Sequence, residues 1–151
     1  MPRLSQTVPE VGEVSGLVRT SEAATLAIHA AAIMASSPGP PVTAAVMAEG
    51  LSASEAHLAK VLQRLAKEGL VAGTRGPGGG FRLTRPAKQI SLREVYEAIE
   101  GRLEVERCML SSPVCDRDDC PLGRLFARLS DDAMRTLGST TLADVELRLP
   151  I

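Results

Sequence analysis

"HLAKVLQRLAKEGLVAGTRGPGGGFRL", His57 to Leu83, combines two patterns that together indicate the fold. In its first half Leu58, Val61, Leu62 and Leu65 recur at i, i+3, i+4 and i+7, the spacing of a buried stripe on an amphipathic helix. His57, Lys60, Arg64 and Lys67 form a second stripe, roughly 120° away at about 100° per residue. One face can pack while the other enters a groove. In the second half, five glycines and one proline fall among the thirteen residues Val71 to Leu83. "LVAGT" and "GFRLT" read as short strands, and Arg75-Gly76-Pro77-Gly78-Gly79 between them permits a tight, partly left-handed hairpin turn.

A phosphate-cradling loop is the competing reading of these glycines. Gly73 and Gly78 have its separation, but Gly79 and Gly80 stand where Lys and Ser/Thr must be. No G-x-G-x-x-G pattern is present in the segment either.

Upstream, "TSEAATLAIHAAAIMA", Thr20 to Ala35, is alanine-rich with apolar residues on several faces, which suits a mostly buried helix. "SSPGPP" ends it, and a short helix from Thr43 to Glu49 turns out at Gly50. "SASE", Ser52 to Glu55, has capping-box spacing and is expected to open the basic helix, with Gly69 as its left-handed C-terminal cap. Helix, glycine-containing turn, helix and then hairpin is the order of a winged helix-turn-helix. In such a unit the N-terminal residues of the recognition helix reach base edges, here Glu55, Ala56 and His57, while Lys60, Arg64 and Lys67 suit phosphates. At the wing, Gly76, Gly78 and Gly79 let the backbone approach DNA, and Arg75 can enter a narrow minor groove.

Charge agrees with this reading. The net charge of −1 hides seven bases and one acid between His57 and Lys88, leaving ten bases against seventeen acids elsewhere. A basic segment in an acidic protein is the footprint of a polyanion. One Tyr, two Phe and no Trp equip the chain poorly for stacking on single-stranded bases. No run of about 18 apolar residues and no secretory leader is visible, so a soluble, cytoplasmic protein without membrane contact is expected. No Ser/His/Asp or Cys/His arrangement stands out, and two histidines leave little for acid–base chemistry, so no enzyme is expected.

"HLAKVLQRLAKEGLVAGTRGPGGGFRLTRPAKQISLREVYEAIEG", His57 to Gly101, resembles the winged-helix segment of the Rrf-two family of bacterial transcription regulators. "KEGLV", "RGPGGGF", "RPAKQISL" and a helix ending in "AIEG" follow in the family's order, and the likeness runs from about Leu17 to about Val145. It implies a mostly α protein with a winged-helix domain over 19–101, a cysteine-bearing segment over 102–121, and a dimerisation helix with a C-terminal segment over 122–151; residues 1–18, with two prolines and little periodicity, read as a flexible extension. It further implies a homodimer on a dyad-symmetric double-stranded DNA operator.

"SLRE", Ser91 to Glu94, is a second capping-box pattern and opens a helix that reaches Gly101. All three cysteines then follow as Cys-x6-Cys-x4-Cys: Cys108, Cys115 and Cys120. An odd number in a cytoplasmic chain argues against a disulfide framework, and clustered soft thiolates suit iron–sulfur or zinc. Spacing alone leaves a metal site, a thiol redox switch and incidental cysteines open.

The resemblance implies that the three cysteines ligate an iron–sulfur cluster, two-iron or four-iron, whose redox state, nitric-oxide exposure or occupancy controls DNA binding. One branch of the family fills the remaining iron position with a histidine three residues after the last cysteine, where this chain has Gly123. Another branch uses an N-terminal carboxylate from the partner subunit, and alignment of "VRTSEAATLAI" puts Glu22 at that place. For Glu22 the alternative is a helix-start acid, and for the protein two remain: a regulator that works through thiols without a cluster, or a metal-binding interaction module. His29, on an apolar helix, reads as a core histidine.

Leu122, Leu125, Phe126, Leu129, Ala133 and Leu137 give a helical apolar stripe that fits the family's dimerisation helix or packing within one subunit. "TTLADVELRL", Thr140 to Leu149, is expected to form a last short helix.

Overall fold

The computed structural model describes residues 20–105, 107, 108, 110, 114, 119–145 and 147. Its described elements run α1 (Glu22–Ala35), α2 (Ala44–Gly50), α3 (Glu55–Lys67), β1 (Val71–Thr74), β2 (Gly80–Leu83), α4 (Leu92–Glu100) and α5 (Pro121–Ser139). The expected extension over 1–18 lies outside the described residues.

α1 starts where the Ser21 hydroxyl accepts the Ala24 amide at 3.0 Å, and it is buried on several faces through Ala24, Leu26, Ala27, Ala30, Ala31, Ile33 and Met34. Thr43 caps α2 in the same way, accepting from Val46 N at 3.2 Å. The α2–α3 turn differs from the expected capping box. Ser52 sits at φ 51°, while Ser52 N donates to Glu49 O and Ala53 N to Ala48 O at 2.9 Å, so this residue closes the turn. Ser54 is therefore the first extended residue before α3, and its hydroxyl, two positions later than expected, accepts from His57 N at 3.4 Å.

α3 buries Leu58, Val61, Leu62 and Leu65 as its periodicity requires, and ends before Gly69 at φ +77°. β1 and β2 pair antiparallel in the register Val71↔Leu83 to Thr74↔Gly80. The chain after α1 joins this hairpin, with Val42 N donating to Phe81 O at 2.9 Å and Phe81 N to Val42 O at 2.8 Å. The wing is thereby held to the turn that leads into α2.

Ser91 and Glu94 form the expected capping box of α4: Ser91 N donates to Glu94 Oε2 at 2.9 Å, and Glu94 N to the Ser91 hydroxyl at 3.2 Å. One apolar core unites α1, α2, α3, β1, α4 and the 3₁₀ turn at Leu142–Asp144, with Met47, Leu58, Leu62, Leu65, Ile90 and Leu142 among its fully enclosed side chains. That turn stands where a last helix was expected over Thr140–Leu149. The reason is local: the Asp144 carboxylate accepts from Thr141 N at 2.8 Å, and Leu142 N bonds Ile90 O at 2.9 Å, which ties the segment to the core as an irregular strap. Among the described residues no helix is long and apolar enough to cross a membrane.

Candidate nucleic-acid interface and cysteine segment

Glu55, Ala56, Lys60, Arg64 and Lys67 are exposed on α3, and His57 is half-buried. With the leucine stripe inward, the side opposite it carries Ala56, Lys60, Gln63 and Lys67, by about 100° per residue. Gln63, exposed and amide-bearing, was not among the sequence candidates, although its position opposite the leucines could have indicated it. The basic stripe is divided. His57 and Arg64, two turns apart along one flank, face protein groups: His57 Nδ1 lies 3.5 Å from Glu22 Oε1, and Arg64 Nη2 donates to the Ile99 carbonyl.

At the wing, Arg75 is exposed, and Gly76 and Gly78 take φ of 88° and 73°, where a side chain would be strained. A Cβ at Gly79 would run into the Thr74 carbonyl oxygen. Apart from Arg75 and Pro77, the tip is therefore bare backbone.

Glu22 occupies the first turn of α1, 43% exposed, with His57 as its neighbour. The adjacent Ser21 hydroxyl donates to Glu100 at the end of α4. His29 is half-buried, and its Nδ1 bonds the Thr25 carbonyl at 2.7 Å, a satisfied helix histidine as expected.

α4 leads directly into the cysteine-bearing segment. Glu97 Oε1 accepts from Leu103 N at 2.9 Å and from Arg93 Nε at 3.0 Å. The Leu103 amide holds the Glu97 carboxyl below its ordinary pKa; burial opposes this, and Arg93 and Arg102 add to it. Cys108 and Cys120 are both half-buried free thiols. Cys108 Sγ accepts from Leu110 N at 3.4 Å. Cys120 is the N-cap of α5, with Pro121 following it and no side-chain capping hydrogen bond. Cys115 lies outside the described residues.

Gly123 is the one buried residue of α5. A Cβ there would collide with the Arg107 carbonyl oxygen, so the main chain just before Cys108 occupies the space that a side chain at this position would take. The segment carrying Cys108 is thus laid against the first turn of α5, at whose start Cys120 stands. Among the described residues no group of three His, Cys, Asp or Glu lies close enough to hold a metal within one chain.

The family described as iron-dependent transcriptional regulators, Rrf2, matches residues 20–146, and this chain belongs to it. The chain is 35% identical over 105 residues to the HTH-type transcriptional regulator IscR of Cronobacter sakazakii and 33% identical to that of Escherichia coli O1:K1. These matches cover 70% of the chain and 65% of each relative, just under two thirds of the relatives' length. Among solved structures, the global cysteine regulator CymR of B. subtilis superposes with a TM-score of 0.70 at 25% identity, covering 85% of this chain and 95% of that one. T. potens IscR shares the fold, with a TM-score of 0.66 at 23% identity over 84% and 85% of the two chains. The mostly helical winged fold expected from the sequence is thereby established, and the relatives named are regulators rather than enzymes.

Proposed function

We propose that this protein is a cytoplasmic, homodimeric DNA-binding regulator whose operator affinity is set by an iron–sulfur cluster on its cysteine segment. One observation supports DNA binding above the others: a helix with its apolar stripe buried presents Ala56, Lys60, Gln63 and Lys67 outward, and the glycine-rich wing that follows it carries an exposed Arg75. Glu55, Ala56, His57 and Gln63 would address base edges. Lys60 and Lys67 would neutralise phosphates, and Gly76, Gly78 and Gly79 would let the wing backbone close on the duplex. Two such units on a dyad-symmetric operator read two half-sites.

The donor chemistry fits the cluster. Cys108 already accepts an amide at its sulfur, and Cys120 stands at the start of α5, against whose first turn the Cys108 segment is laid. Cys108, Cys115 and Cys120 would hold the cluster, with Glu22 of the partner subunit as the fourth, harder donor. When bound, the cluster supplies a centre that responds to redox change, nitric oxide or iron supply by altering its ligands. The packing of Arg107 against Gly123 supports a fourth ligand from outside α5, since that position offers no side chain and no room for one.

Anaerobic purification followed by iron and sulfide analysis, a visible spectrum, and duplex-binding isotherms of the loaded and stripped protein tests the reading. Stoichiometric iron and sulfide with a change in operator affinity on stripping is the expected result. A protein that stays colourless after reconstitution yet changes affinity on thiol oxidation would replace the cluster by a cluster-free thiol switch; the match to a cysteine regulator keeps that second reading in view. Metal binding without salt-sensitive duplex binding would replace both by a metal-binding interaction module. At matched salt, Arg75→Ala is expected to weaken operator binding more than binding to scrambled DNA, and Lys67→Ala to weaken both alike.

A further inference from the structure

α4 ends without a basic residue in its last turn, although its terminal carbonyls carry the negative end of the helix dipole. The cation comes from elsewhere in the fold: the Arg64 guanidinium of α3 donates to the Ile99 carbonyl, thirty-five positions along the chain. The next residues are fixed as well. Gly101 N donates to Glu97 O at 2.9 Å, and Leu103 N to Glu97 Oε1 at 2.9 Å. From Ile99 to Leu103 the chain is therefore clamped to α4 and α3, and Cys108 follows five residues later. The same end of α4 receives the Ser21 hydroxyl through Glu100, while Glu22 beside it meets His57 at the start of α3.

We propose that Arg64 is a positioning residue: it couples the recognition helix to the entrance of the cysteine segment, and does not serve as a phosphate contact. Chain displaced at the cysteines pulls on residues 99–103. The Ile99 carbonyl then carries the displacement to Arg64, one turn beyond Lys60 on the helix that meets DNA. This role rests on the reading that the cysteine segment controls DNA binding. Linkage makes it reciprocal, so DNA engagement must alter the freedom of the same junction.

Arg64→Met and Lys67→Met in the full chain separate the two roles. If Lys67 meets a phosphate, its loss flattens the dependence of log affinity on log salt by about 0.9, the slope associated with one neutralised phosphate. Arg64→Met is expected to leave that slope unchanged. It should instead accelerate hydrogen exchange at the Gly101 and Leu103 amides, which Lys67→Met leaves protected. The deciding quantity is the ratio of operator affinities between protein purified anaerobically and protein whose cysteines are blocked with iodoacetamide. That ratio departs from one in the unaltered chain, collapses toward one in Arg64→Met, and is partly restored in Arg64→Lys, which keeps a donor for the carbonyl. An unaltered chain indifferent to cysteine blocking would overturn the reading of control and the coupling with it. A responsive unaltered chain with an equally responsive Arg64→Met, or a full phosphate's loss of slope in Arg64→Met, would overturn the coupling alone.

Discussion

α3 and α5 are both amphipathic by sequence, yet they meet opposite fates in one chain. α3, 13 residues long, buries four apolar side chains against α1, α2 and α4. α5, 19 residues long, buries only Gly123, and leaves Leu122 54% exposed with Leu125, Phe126, Leu129 and Leu137 half-buried. Fully burying a Leu or Phe is worth roughly 1.5–3 kcal/mol, so α3 has collected its stabilisation inside the subunit while much of α5's is uncollected. The difference teaches that the winged unit collects its core within one subunit, whereas α5 would be completed by a second copy in the proposed homodimer.

The sharpest way to break that contrast is to charge each stripe in turn. Leu129→Glu on α5 is expected to leave the winged unit folded and convert the protein to monomers in sedimentation. Operator affinity should fall by about 100-fold or more, because linked half-site binding is lost. Leu62→Glu on α3, at a fully buried site, should instead unfold the chain. A dimer that survived Leu129→Glu would show that α5 completes itself within one subunit.

Gly123→Ala probes the one place where α5 is closely packed. The added methyl must displace the Arg107 carbonyl, at a cost of roughly 1–3 kcal/mol if the segment stays, or detach the segment if it does not. Either way Cys108 should alkylate faster in the cluster-free protein, with little change in non-specific DNA binding. Unchanged Cys108 reactivity and stability would show that Gly123 does not fix the segment.

A smaller effect is expected within the winged unit. Ser52 holds a left-handed backbone at φ 51°, a conformation costing a side-chain-bearing residue roughly 1–2 kcal/mol. Ser52→Gly removes that strain against some loss of chain entropy, so a net gain of about 0.5–1 kcal/mol in thermal unfolding is expected. A loss of stability would mean that the hydroxyl, not the backbone, holds the turn.

The smallest effect at neutral pH concerns α4, which touches both regions. Burial pushes the Glu94 carboxyl up, but hydrogen bonds from Arg85 at 2.7 Å and from Ser91, with the Arg85 charge, hold it below its ordinary value. Glu97 is lowered as well, chiefly by the Leu103 amide. For a depressed carboxyl, the stabilisation is complete above the unfolded pKa of about 4.3 and is lost as pH falls through the folded value. Acid unfolding should therefore set in below about pH 4.3. Glu94→Gln, which can keep the capping box but not the charge pair, should flatten that acid limb. At neutral pH it should cost no more than about 1 kcal/mol, since solvent reaches both side chains of the pair, 41% and 42% exposed, and screens it. An unaltered acid limb would assign the pH dependence to other groups.

Much of the fold was legible because its determinants are local. Four apolar residues at helical spacing placed the buried side of α3, Ser91 and Glu94 fixed the start of α4, and glycines at positive φ made the wing turn. Ser54 displaced Ser52 as the helix cap because the α2–α3 turn needed Ser52 for its own closure, a competition that residue spacing does not express. The candidate interface was legible as a set of bases, and not in its division.

That division belongs to tertiary structure. By itself the sequence determined which faces of α3 and α5 are apolar, where the basic charge collects, and that three thiols share one segment. Only the packed chain decided that Arg64 turns to Ile99, that Glu22 meets His57, and that the main chain of Arg107 fills the place beside Gly123. Each of these joins residues sixteen to thirty-five positions apart, beyond the reach of helical or strand periodicity. A long side chain settles on whichever helix end or carbonyl the assembled core brings within reach, and that neighbour exists only after the helices have packed.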